Sequence, residues 1–76
     1  MGLAMKDWNK QAKTILKAEL ARADSNYEDL AVKLKAIGVE ETYSSLAAKI
    51  NRGTFSFAFF VQCMAALGVS VVRFGE

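Results

Sequence analysis

The stretch from Thr42 to Gly68, TYSSLAAKINRGTFSFAFFVQCMAALG, decides the fold. It reads as one helix, a sharp break at Arg52-Gly53, and a second helix that is apolar on almost every side. Tyr43, Leu46, Ala47 and Ile50 recur at i, i+3, i+4 and i+7, which is one face of a helix. The other face carries Ser44, Ser45, Ala48, Lys49 and Asn51, and is small, polar and basic. Thr42 suits the start, because its hydroxyl can accept from a backbone N–H that the helix leaves unpaired. Glu40 and Glu41 bring negative charge to that end, while Lys49 and Arg52 bring positive charge to the other. Gly53 supplies the left-handed residue that commonly ends a helix.

The second helix of the stretch opens at Ser56, another good cap. From Phe57 to Leu67 only Gln62 is polar. A helix apolar all round is normally buried. A chain of 76 residues has too little interior to wrap it completely. Part of that surface is therefore expected to meet a partner, in a homodimer formed through Phe57–Leu67 and the tail Val69–Phe74. Val69, Val71, Val72 and Phe74 favour a strand. The tail either pairs with its copy as a two-stranded ribbon or packs, extended, on the preceding helix.

Upstream, Asp7 is expected to cap a helix over Trp8–Ala23 with Trp8, Ala12, Ile15, Leu16, Leu20 and Ala23 as its apolar stripe. Lys6, Lys10, Lys13 and Lys17 follow at i, i+4, i+7 and i+11 as a basic row away from that stripe. Such a row is either a solvated face or a set of phosphate contacts. Lysines near a helix start oppose the dipole, so helix stability does not explain them. Ser25 and Glu28 have capping-box spacing. A helix from Asn26 or Tyr27 to Ile37 follows, facing the core with Tyr27, Leu30, Ala31 and Leu34. Gly38 stops it and Val39 packs back. The short link to Thr42 suits a helix-turn-helix.

Composition narrows the function. Hydrophobic residues make up 53% and the formal net charge is +2, with a mean hydropathy of +0.15. Residues 1–23 hold five basic and two acidic side chains, residues 24–41 two and five, and residues 42–76 three and one. There is no histidine and no glycine-rich phosphate loop, and the carboxylates lack metal-ligand spacing. Cys63 stands alone inside the apolar helix and reads as a small core residue. No enzyme chemistry, cofactor or metal is expected. One cysteine permits no internal disulfide and suits a reducing cytoplasm. No apolar run is long enough for a membrane span, and the start shows no signal-peptide pattern. Met1-Gly2 lacks the hydroxyl residue a myristoylation start needs, since Lys6 stands there. Trp8 and the phenylalanines are expected in the core, because a base-stacking platform needs exposed aromatics interleaved with basic residues.

The run from Leu30-Ala31 through Gly38-Val39, then Ile50-Asn51-Arg52-Gly53, Phe60 and Ala65-Ala66-Leu67-Gly68-Val69, resembles the lambda-repressor-like (Xre-type) helix-turn-helix domains. Trp8 near the start, the turn Gly38-Val39-Glu40-Glu41-Thr42, and Lys49-Ile50, Arg52-Gly53, Phe55-Ser56, Phe59-Phe60 and Gln62-Cys63 carry a closer resemblance, to a bacterial family of small uncharacterised proteins. The first resemblance implies an all-α domain of four to five helices spanning residues 1–76, with a short extended C-terminal tail. It implies sequence-specific binding of duplex DNA by a small transcriptional regulator, with helix 42–52 in the major groove. Thr42, Ser44, Ser45, Ala48 and Lys49 would face the groove, Lys49 reaching guanine O6 and N7. Asn51, Arg52 and Thr54, with Lys10, Lys13 and Lys17, would meet the backbone. The rival expectation is a protein-interaction or dimerisation module that does not bind DNA.

Overall fold

The computed structural model describes residues 7–74. Within them the chain is all-α: α1 spans Trp8–Arg22, α2 Tyr27–Ala36, α3 Tyr43–Arg52 and α4 Phe57–Leu67. Among the described residues there are four helices and no strand, so a fifth helix is not found there. Lys6 and the Met1-Gly2 start lie outside the described residues.

Each helix begins with a short polar side chain on its own backbone. Asp7 Oδ1 accepts from the Lys10 N–H at 3.0 Å, and Ser56 Oγ from the Phe59 N–H at 3.0 Å. Thr42 and Ser45 cap reciprocally: Thr42 Oγ1 accepts from Ser45 N at 3.1 Å, and Ser45 Oγ from Thr42 N at 2.9 Å. The capping box of α2 is one residue later than the spacing of Ser25 and Glu28 suggests. It joins Asn26 to Asp29, with Asn26 Oδ1 accepting from Asp29 N at 2.8 Å. The reason is that Ser25 is already spent on α1. Its N–H reaches back to the Leu20 carbonyl at 3.1 Å, and its hydroxyl accepts from Lys33 Nζ at 2.8 Å.

Three helices end in the same hydrogen-bonded closure, in which two N–H groups past the end reach back to carbonyls of the last turn. For α1 the left-handed residue is Asp24, at φ 54°, one of the few non-glycine types that tolerates it. Gly38 closes α2 and Gly68 closes α4, and the following Val39 and Val69 bond to Leu34 and Met64 and pack on the core.

The core takes two or three residues from each helix: Leu16 and Leu20, Leu30 and Leu34, Leu46 and Ile50, then Phe59, Cys63 and Met64. These are the faces that helical periodicity requires. Packing is heaviest between α2 and α4 and between α1 and α3, and is lighter between α1 and α4. That imbalance corrects one expectation. Trp8 is 69% exposed and Phe57 77% exposed, because none of the four described helices covers the flank where α1 and α4 both begin.

Within the single chain the tail is extended and packed on the core, with no strand among the described residues. Val69 and Val72 lie against the core, and the Arg73 N–H donates to Glu19 Oε2 at 3.0 Å. Glu19 is an acid buried in α1 and also meets Arg22 Nη1 at 3.1 Å.

Candidate functional site

Helix α3 sorts its residues by the turn. Leu46 and Ile50 go into the core. Ser44, Ala48, Asn51 and Arg52, at i, i+4, i+7 and i+8, are exposed on the far side. None of the four is bulky and apolar, and α3 itself carries no carboxylate. Such a face can approach another surface closely and offer hydroxyl, amide and guanidinium groups.

The remaining sequence-selected residues of this helix are engaged in holding its start. Thr42 and Ser45 form the cap described above. Lys49 Nζ donates to Glu41 Oε2 at 2.5 Å and stands 5.2 Å from the centre of the Phe59 ring. Glu41 also accepts from the Ser45 hydroxyl at 2.6 Å. Burial alone raises the Glu41 carboxyl, but the hydrogen bonds from Lys49 and Ser45 outweigh it and hold the group below the usual carboxylate range. A lowered folded-state pKa stabilises the fold above the ordinary carboxylate value of about 4.3, and that contribution is lost as pH falls through the folded value. Urea midpoints measured from pH 7 down to about 3 are therefore expected to fall, and Glu41→Gln should flatten that acid limb. An unchanged limb in the variant would show that Glu41 is not the group responsible.

Lys49, Arg52 and exposed Thr54 border a hollow of about 230 Å³ with Phe55, Ser56 and Phe59. The lysine row lies elsewhere. Gly53, at the end of α3, abuts the Asn9 backbone at the start of α1. Tyr43, at the start of α3, shares a second hollow with Lys17. The two helices are thus antiparallel, and Lys10, Lys13 and Lys17 share a flank of α1 at i, i+3 and i+7. Lys10 and Lys17 are exposed and Lys13 half-buried. Glu28 lines the Lys17 hollow too, so the charge there is mixed. Tyr27 and Tyr43 meet edge to face at 5.8 Å and tie the starts of α2 and α3 together. The Tyr27 hydroxyl is buried without a partner among the described residues, and burial, then the Tyr43 phenol, raises its pKa.

Cys63 is buried, and its thiol is pushed up to about 12 by desolvation, with the Glu41 carboxylate adding to it. That is the inert environment of a core cysteine. Among the described residues no three His, Cys, Asp or Glu side chains come together as a metal site, and no helix is long and apolar enough to cross a membrane.

Sequence reasoning missed the buried role of Glu19 and, having placed Glu41 at the start of α3 for its charge, missed its pairing with Lys49. Glu19 carried a signal: it stands between Leu16 and Leu20 on the core-facing stripe, where a carboxylate needs a partner. Glu41 carried none, because its partner Lys49 is eight positions away. Only the bend before Thr42 brings the two together.

A protein-family model described as Domain of unknown function (DUF6471) matches residues 8–72. No curated protein and no solved structure matches the chain.

Proposed function

The chain belongs to the DUF6471 family, and we propose that it binds duplex DNA as a small sequence-specific regulator, with α2, the turn 37–42 and α3 acting as a helix-turn-helix. The observation that carries this reading is the exposed, acid-free face of α3: Ser44, Ala48, Asn51 and Arg52. Small side chains at Ser44 and Ala48 let the helix sit deep in a major groove. Asn51 can pair with adenine N6 and N7, and Arg52 with guanine or phosphate. Lys10, Lys13 and Lys17 run along the neighbouring antiparallel helix and meet phosphates, with Thr54 at the other end of α3. Thr42 and Ser45 support the start of the helix, and Lys49 reaches a base only by leaving Glu41.

A fluorescent random duplex titrated with the protein at two salt concentrations tests the reading. Binding is expected in the micromolar range, roughly 10–100 μM or tighter at low salt, weakening steeply as salt rises. Replacing Lys10, Lys13 and Lys17 together by alanine should lower the salt slope by about two to three contacts. Arg52→Ala should weaken binding further. Absence of binding at low salt overturns the proposal in favour of the rival, a protein-interaction module. That rival is supported by the aromatic side chains exposed where α1 and α4 begin.

A further inference from the structure

Away from the α3 face lies an apolar groove of about 510 Å³, walled by Trp8 and Ile15 of α1, Phe55, Phe57 and Phe60 around the start of α4, and Phe74 of the tail. Among the described residues no ionisable side chain lines it. We propose that this groove docks a second copy of the chain, forming a two-fold symmetric dimer in which each Phe57 enters the groove of its partner.

Three observations select that occupant. The first is shape. Phe57 is 77% exposed and Phe74 71% exposed, so each copy offers both projecting rings and a hollow to receive them. A two-fold axis brings the same patch against itself and satisfies both features at once. The rings are also pre-arranged: Phe57 stacks on Phe60 at 6.2 Å and Phe60 on Phe55 at 6.4 Å, which leaves little side-chain freedom to lose on docking.

The second is area. An aromatic side chain buries roughly 150–250 Å². At their observed exposure, Trp8, Phe57 and Phe74 together withdraw on the order of 400 Å² per copy, hence about 800 Å² per pair. Val61, one turn after Phe57 on the same helix and 46% exposed, extends that apolar face. The pair then comes close to the roughly 1,000 Å² that a specific interface needs, the size of a dimer of moderate affinity.

The third is charge. The described lining carries no ionisable group, so it gives an acidic or basic partner nothing to recognise, whereas the same apolar patch on a second copy sets no like charges against it. The surface also leaves the α3 face open. With 100° per residue, Trp8, Ala12 and Ile15 lie on the flank of α1 roughly opposite Lys10, Lys13 and Lys17. The dimer therefore stands independently of DNA binding.

Sedimentation equilibrium of the full chain, without DNA, tests the proposal over about 1 to 300 μM, a range that brackets a standard-size interface of moderate affinity. Mass is expected to rise with concentration from 8.3 kDa toward twice that value. Phe57→Glu should weaken the dimer at least thirty-fold, about what one buried aromatic anchor contributes to an interface. Its high exposure and first-turn position leave the fold intact, checked by an unchanged helical circular-dichroism spectrum. Val32→Glu, on α2 and 70% exposed, should leave the dimer unchanged. A chain that stays monomeric throughout, a dimer indifferent to Phe57→Glu, or one lost equally in Val32→Glu would overturn the proposal.

Discussion

Replacing Gly53 by alanine is expected to cost about 3 kcal/mol or more, enough to unfold much of the population of a domain this small. Two effects add. Gly53 has φ +71°, and a side chain in that left-handed region costs roughly 1–2 kcal/mol. A Cβ there would also fall on the Asn9 backbone, 2.8 Å from its carbonyl carbon. Asn9 lies in the first turn of α1, so the obstacle is a helix and cannot swing aside like a side-chain tip. Either α1 shifts off α3 or the Arg52-Gly53 break opens. Gly38→Ala is the internal control. It has the same hand, with φ +87°, but nothing within 4 Å of the new Cβ, so it should cost only about 1 kcal/mol. Urea denaturation of the two variants measures the difference. Equal midpoints would show that the close approach of α3 to α1 is not formed in solution.

Glu19→Ala is expected to cost about 2 kcal/mol and to release the tail. Glu19 is 1% exposed and accepts from Arg22, from the Arg73 N–H at 3.0 Å, and faces the Arg73 guanidinium at 3.8 Å. Removing one member of a buried ion pair costs about 3–5 kcal/mol when the other is stranded. Here the arginine side chains are 39% and 53% exposed and can turn to water, which lowers the cost. The tail's one hydrogen bond among those above, from the Arg73 N–H, goes to that carboxylate and is lost with it. Exchange of the Arg73 amide should accelerate well beyond the change in global stability. Glu19→Gln keeps an acceptor and should fall between the two. Unaltered protection of the Arg73 amide in Glu19→Ala would show that the tail is held by its valines alone.

Much of this architecture is local in origin and therefore readable in one dimension. Asp7, Thr42 and Ser56 cap the helices expected of them because a cap bonds within three residues of itself. Gly38 and Gly53 end helices because no other residue type takes a positive φ so cheaply. Leu16, Leu30, Leu46 and Ile50 are buried because periodicity sends them to one side of each helix. Where two local solutions competed, as Ser25 and Asn26 did for the start of α2, the outcome depended on how α1 closed.

The candidate site was half legible for the same reason. That Ser44, Ala48, Asn51 and Arg52 face outward follows from the burial of Leu46 and Ile50. That Lys49 turns back to Glu41 and Phe59 does not follow from any spacing. A charged side chain chooses among partners by distance in space, and those distances exist only after the chain has folded.

By itself, then, the sequence determined four helices, the caps of three of them, the residues that fill their common core, and a single buried thiol, since each depends on neighbours within a turn or two. Only the tertiary structure decided which flank stays uncovered. The strong packing of α4 on α2, and its light packing on α1, left Trp8 and Phe57 largely exposed, because none of the four described helices lies over that flank.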